Sequence, residues 1–423
     1  MNMYVLIHSS YYLLPILACI CFYYLKFKNK DSKKIIWIFY SFIFIVASFV
    51  FIQLTITQLY EFKAWDFNAF YLFGKAGVSG NNFYLPETFQ AIFNTLDLPP
   101  LDYRQYISEV VNVGFIYPPP TIFLFVPLGF LSYKTALTCW VLFNFLFAIG
   151  CIYLSYDLFL KKYKLNGFML VAILFCFFMP ARSTVVYSQT NFILLFLLLL
   201  MKKHSDKKFS GILLALAFFT KPYMLIFGLY FLIRKQWKPI IYCIATTLIL
   251  VGFTILVYGI EPFITYIYDN PIKRYPSWIQ ADSMHQSLNA VLIRSHLTSI
   301  NNSSVYYYIA ILILILTVFY LFYLAGRKLY DSMWAVLLLV GLMLYPGTIY
   351  YYGVLILFII FQFFDEKREL GFNMYLTIPI IAIFYILSGF YLFICFCFLL
   401  IILILKSFNL ISLPNLKFYK SLE

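Results

Sequence analysis

The feature that most constrains this chain is a succession of long, unbroken apolar runs. Stretches such as 194–200 and 311–316 contain no polar side chain, and polar residues do not alternate with apolar ones around them. Apolar runs of about 18–20 residues are long enough to cross the ~30 Å hydrocarbon core of a bilayer as helices. A membrane barrel would instead need ~10-residue segments that alternate in character. The expected fold class is therefore all-α, a polytopic transmembrane helical bundle. Composition agrees, since 63% of the 423 residues are hydrophobic and 11% charged, too few charges to wet the outside of a water-soluble protein.

The net charge of +14 raises nucleic acid as a partner. Charge placement argues against it, because the basic residues sit in short clusters between apolar runs, where they orient helices. No nucleic-acid partner is expected. The cysteines (Cys19, Cys21, Cys139, Cys151, Cys176, Cys243, Cys395 and Cys397) all lie in or beside apolar segments. They read as small buried hydrophobes, not as a disulfide framework or a zinc site. The first 25 residues lack a basic leader and a small-residue cleavage site, so they read as a retained helix.

Candidate spans fall at 9–25, 35–58, 136–159, 165–181, 190–201, 209–220, 222–233, 239–259, 305–325, 331–345, 349–364, 373–388 and 390–405, about thirteen in all. The connections 26–34, 161–164, 202–208, 234–238, 327–328 and 365–369 are basic. Placing these and the C-terminal tail in the cytoplasm puts 22 of the 31 Lys and Arg there and leaves nine outside, with nine of the 17 acids. That asymmetry is what the positive-inside rule expects, and it sets the N-terminus out and the C-terminus in. Two long outer segments remain, 59–134 and 260–304. Long connections in a compact protein are usually functional, and both are too rich in aromatics for disorder. The apolar stretch 117–131 is too short for a full span and reads as an interfacial or re-entrant helix of the outer leaflet.

Four outer features carry candidate chemistry. Asp66, in Trp65-Asp66-Phe67-Asn68-Ala69-Phe70-Tyr71, follows span 35–58 by eight residues. A carboxylate among aromatics at that depth is partly desolvated, which tends to raise its pKa toward useful base strength; a helix N-cap is the plainer alternative. Lys221-Pro222 divides 209–233 into two short helices, because a single span would strand one basic cluster on the wrong side, and the residue before proline disfavours helical geometry. A lysine held there suits a lipid-linked phosphate, or else it snorkels to the headgroups. The Arg182-Ser-Thr-Val-Val-Tyr-Ser-Gln-Thr-Asn191 turn offers a guanidinium fork for phosphate and the amides of Gln189 and Asn191 for hydroxyls. The Met284-His285-Gln286-Ser287-Leu288-Asn289 stretch, followed by Arg294, faces the same side, although a lone histidine is more often a satisfied surface group. The run Tyr350-Tyr351-Tyr352 is an ordinary interfacial belt in this light. No phosphate-binding loop or dinucleotide fingerprint appears, so any transferred group comes from a donor other than a nucleotide gripped by a Rossmann unit. No carboxylate cluster outlines a metal cage; nothing supports Asp97 and Asp102 in that role.

In their order these motifs resemble glycosyltransferase family 87, the polyprenol-phosphate-sugar-dependent membrane enzymes with the GT-C fold. The resemblance is carried by Asp66-Phe67…Phe70-Tyr71, Tyr117-Pro118-Pro119 with Pro127-Leu128, and Ser188-Gln189-Thr190-Asn191. It continues through Gly211…Lys221-Pro222-Tyr223, Arg234…Trp237-Lys238 and Gln286-Ser287…Arg294, over about residues 60–355. The chain departs from the family where Ser188 stands for a frequent glycine, His285 for a frequent asparagine, and Tyr350-Tyr351-Tyr352 for a turn that often holds histidines. The resemblance implies a GT-C-like membrane core over 35–259, after an extra N-terminal helix and loop (1–34). A second outer loop (260–304) and C-terminal helices with a short tail (305–423) would follow. It further implies Asp66 as general base and Lys221, with Arg182 and Arg294, at the donor phosphate. Asn68, Tyr71, Tyr117, Gln189, Asn191, His285, Gln286 and Tyr351 would surround sugar and acceptor. The expected donor is a polyprenyl-phosphate sugar, mannose first, giving an α-linked product on a glycan or glycolipid acceptor. Membrane lipids are the other expected partners, no cofactor or divalent metal is expected, and the expected site lies on the non-cytoplasmic face of the plasma membrane. Broken helices also mark transporters or flippases of lipid-linked solutes, and an oligosaccharide polymerase or ligase would share the outer loops. Those sites, in transporters, sit near the midplane and come with inverted repeats, which this sequence does not show.

Overall fold

The computed structural model describes residues 3–27, 33–61, 65–95, 115–269, 281–298, 304–388 and 391–410. Asp97 and Asp102 lie outside the described residues. Within them the chain is helical, and its one β feature is an isolated antiparallel bridge between His285 and Ile349. By length and composition, four stretches are apolar enough to cross a membrane: Lys33–Leu59, Tyr133–Phe177, Trp237–Tyr258 and Ser304–Gly326. The second of these turns back on itself between the helices Tyr133–Ser155 and Lys164–Phe177. Shorter apolar helices of 10–17 residues fill most of the remainder, Phe209–Thr220 and Tyr330–Leu344 among them. Large apolar side chains stand outward on the long helices, with Leu256 85% exposed and Phe319 70%. Apolar surface of that extent calls for a lipid surround.

Successive helices run between two ends of unlike chemistry. At one end, ion pairs tie the basic connections together. Lys162 meets Asp365 at 2.5 Å and Lys202 meets Asp331 at 2.5 Å, while Lys161 and Lys203 share Asp157 at 2.7 and 2.8 Å. Lys26 reaches Glu366 at 3.2 Å, Arg234 reaches Asp206 at 3.1 Å, and Arg368 lies 3.7 Å from Asp331. These are segments that charge counting assigns to one side, and the fold gathers them.

At the opposite end the helices break. Phe178, Lys221 and Tyr345 all take extended backbone angles between helical segments, at (−70°, 120°), (−150°, 114°) and (−76°, 115°). Pro222 and Pro346 follow the last two directly, and Pro180 follows the first by two residues. A proline ring crowds the residue before it out of helical geometry and removes the next amide donor. The division of 209–233 at Lys221 therefore has the cause read from the sequence.

The helix Trp65–Ser79 is fixed by the short helix Ile122–Gly129, part of the stretch read as re-entrant. Their backbones touch. A Cβ placed on Gly129 would lie 2.2 Å from the Gly74 carbonyl oxygen, and one on Gly74 would lie 2.4 Å from that of Phe125. Around this contact packs an aromatic cluster, with Phe70 stacked on Phe125 at 4.8 Å and Phe73 edge-on to Phe115 at 4.9 Å. One expectation needs correction here. Most of the cysteines are buried, but Cys139 is exposed and Cys397 partly so, because each points outward from an apolar helix whose other faces supply the packing.

Gly129→Ala should force the two helices apart. We expect a lower thermal midpoint in detergent, a destabilisation of about 1–3 kcal/mol from overpacking against backbone, and a fall in activity as the Asp66 helix shifts. An unchanged midpoint would contradict the close approach.

Candidate active site

Asp66 lies in the first turn of the helix Trp65–Ser79. The positive end of a helix favours a carboxylate there. Gln189 Nε2 donates to its Oδ2, and the Tyr351 hydroxyl donates to the same oxygen at 3.3 Å. Gln189 Nε2 also reaches the Tyr351 hydroxyl at 3.2 Å, so carboxylate, amide and phenol close a triangle. Asn191 Nδ2 contacts the Tyr351 carbonyl at 3.4 Å and Thr184 Oγ1 at 3.3 Å. The turn that presents Gln189 is built on Ser188, whose φ of 52° lies in the left-handed region and whose carbonyl accepts from Trp140 Nε1 at 2.7 Å. A glycine would meet that geometry without steric cost.

Lys221, 2% exposed, is brought to the same place from the break between Phe209–Thr220 and the 3-10 turn Pro222–Phe227. Its ammonium donates to the Tyr352 hydroxyl and lies 3.5 Å from that of Tyr117. The rings flank it at 4.5 Å (Tyr352) and 4.8 Å (Tyr117), a cation–π enclosure of the kind that stabilises a desolvated cation. Asp66 is close enough to act on the lysine charge. A carboxylate and an ammonium from distant parts of the chain thus share one site, at the end away from the ion-pair network.

The other expected residues divide. Arg182 is half-buried on the helix Met179–Val186, beside the Gln189 turn. Asn68, about 200° around its helix from Asp66, instead accepts from the Tyr133 hydroxyl at 2.5 Å. Its Nδ2 finds no hydrogen-bond partner among the described residues. Tyr71 donates to the Leu131 carbonyl at 3.0 Å. In the second outer loop, Arg294 Nη1 donates to the carbonyls of Asp282 and His285 at 2.8 and 2.7 Å, and Gln286 Oε1 accepts from the Phe393 amide at 3.2 Å. These contacts hold the loop. Gln286 N–H also donates to Thr348 at 2.8 Å and Tyr350 N–H to Met284 at 2.9 Å, a short ladder that leads into Tyr351.

Sequence patterns alone do not single out Tyr352, Tyr187 and Tyr133. Tyr187 lies against Tyr351, with ring centroids 5.4 Å apart, and feels the charges of Asp66 and Asp282. The one signal for this group in the sequence is the Tyr350-Tyr351-Tyr352 run itself.

A model of glycosyltransferase family 87 matches residues 115–346. The chain belongs to glycosyltransferase family 87. It is a helical membrane protein and a glycosyltransferase. No curated protein and no solved structure matches the chain. The family 87 match contains Tyr117, Arg182, Gln189, Asn191, Lys221, His285, Gln286 and Arg294; Asp66 precedes it and Tyr351 follows it.

In this family 87 member His285 is buried, not the surface group expected of a lone histidine. Burial pushes its pKa down to about 4, with Arg294 acting the same way; Asp282 and the bond to the Pro346 carbonyl oppose this. Protonation therefore favours the unfolded state, whose histidine titrates near 6.5. Stability is full above that pH and declines as pH falls from about 6.5 toward 4, by at most about 3 kcal/mol. The thermal midpoint should drop over that window in the native chain, with a shallower slope in His285→Gln. Equal slopes would contradict a buried neutral imidazole.

Proposed function

We propose that this glycosyltransferase moves a sugar, mannose first, from a polyprenyl phosphate to a glycan or glycolipid acceptor. Asp66 takes the proton of the acceptor hydroxyl as its oxygen attacks the anomeric carbon. The bond from that carbon to the phosphate oxygen breaks, and the lipid phosphate leaves with the electron pair. Lys221 neutralises the charge that develops on it, with Arg182 nearby as a second cation. In-line attack inverts the centre, so a β-linked donor gives an α-linked product. Fixed charges in a site of low dielectric stabilise such a transition state more than water does. The reading assigns no resident metal or cofactor.

The observation that carries it is the meeting of Asp66 and Lys221 in one place, the ammonium enclosed by two tyrosines and the carboxylate held by Gln189 and Tyr351. The gathering of basic connections at the other end supports a site facing away from the cytoplasm, in a plasma membrane crossed thirteen times. Gln189, Asn191 and Tyr117 border the place where sugar and phosphate would lie. Asn68, Tyr71, His285, Gln286 and Arg294 enter the reading as supports of the surrounding frame.

Mannose transfer from polyprenyl-phosphate mannose to membrane glycans tests it with purified protein in nanodiscs. Asp66→Asn should lose roughly 10²–10⁴-fold in kcat, the usual worth of a general base, while still binding donor. Lys221→Met should lose about 10²-fold in kcat/KM for donor. Undiminished transfer by either variant would remove its residue from the mechanism.

A further inference from the structure

Asp66 and Lys221 lie far apart in sequence, yet consecutive residues hold them. Tyr351 gives its hydroxyl proton to Asp66 Oδ2 at 3.3 Å. Tyr352 takes a hydrogen bond from Lys221 and sets its ring 4.5 Å from the ammonium. The backbone between the two phenols is pinned from several sides. The Tyr351 carbonyl lies 3.4 Å from both Thr184 Oγ1 and Asn191 Nδ2. At Gly353 a side chain would meet Leu392 Cδ1 at 2.7 Å and Pro180 Cγ at 3.0 Å.

We infer that the Tyr351-Tyr352 dipeptide is the positioning element that sets the spacing of Asp66 and Lys221 in this enzyme. The inference rests on the functional reading above. A carboxylate and an ammonium left alone in a desolvated site attract strongly and would close into a direct pair. Neither would then be available, the one to a hydroxyl proton and the other to a phosphate. Interposed phenols prevent this. A tyrosine hydroxyl donates and accepts, so the same residue type serves the anion through its proton and the cation through its oxygen. An ammonium carries three N–H groups; Tyr117 and Tyr352 take two, and in the functional reading the third serves the donor phosphate. Gln189 completes the carboxylate side by spending one amide nitrogen on both Asp66 and Tyr351. Through these bonds it orients the base.

Removing each hydroxyl alone separates this from a structural role. Release of polyprenyl phosphate from polyprenyl-phosphate mannose, with membrane glycans as acceptor, gives kcat and donor KM. Tyr351→Phe should lower kcat about 10-fold and leave donor KM within about twofold. Tyr352→Phe should raise donor KM about 10-fold and leave kcat within about twofold. Gly353→Ala, which displaces the backbone under both, should show both defects. Hydroxyls that served only the fold would lower the thermal midpoint and leave both constants near native values in the folded fraction; that result, or the same signature from both phenylalanine variants, overturns the inference. Failure of the functional reading is recognised separately, by native turnover in Asp66→Asn and Lys221→Met.

Discussion

Backbone hydrogen bonding sets the terms for everything else in this molecule. In an apolar layer each amide and carbonyl must be satisfied within its own segment, so helices are obligatory and irregular backbone is tolerated only where protein covers it. The chain concentrates its irregularity at one end, where Phe178, Lys221 and Tyr345 leave helical geometry ahead of prolines. Each break frees polar groups and turns side chains inward that a continuous helix would send to its own face. Lys221 is buried for this reason, and Tyr351 and Tyr352 stand in a 3-10 turn just beyond another break. Lys221, Tyr351 and Tyr352 come from places where the regular helix is suspended, and Asp66 from the first turn of one.

The two ends of the bundle treat charge in different ways. Where the basic connections gather, Asp157, Asp331 and Asp365 are each shared between two basic side chains, as Asp157 is between Lys161 and Lys203. Pairs open to solvent, as Arg234 with Asp206 is, contribute little singly, and their value lies in orientation. At the other end the buried ammonium of Lys221 is held by the hydroxyls of Tyr117 and Tyr352, and the carboxylate of Asp66 by the hydroxyl of Tyr351 and the amide of Gln189. Among the described residues no carboxylate pairs directly with Lys221; a buried cation so placed is costly, and the surrounding fold bears that cost through phenol contacts and cation–π enclosure.

Much of this is legible in the order of the residues. Apolar runs declare a helical membrane fold, and the conflict between two basic clusters and one proline locates the Lys221 break. The family likeness draws attention to Asp66. Pairing is what stays hidden. That Gln189 and Tyr351 converge on Asp66 depends on how distant helices are rotated about their axes, which local pattern does not encode. Tyr352 is masked for a different reason. In a chain with 38 tyrosines, three in a row at a membrane boundary look like background. Asn68 is the reverse case, because helical periodicity alone turns it away from Asp66 and the sequence already contains that information. Cys139 teaches the same lesson, since an apolar segment has a lipid face as well as a packed one.

The contact between Gly74 and Gly129 carries one more consequence. With backbone against backbone, the helix bearing Asp66 and the short helix after Tyr117 have no side-chain cushion along which to slide. The carboxylate and one wall of the lysine enclosure therefore travel as a single block. Lys221 and Tyr352 ride on other parts of the bundle, so any relative movement of the two parts falls on the lysine enclosure, between Tyr117 on one bank and Tyr352 on the other.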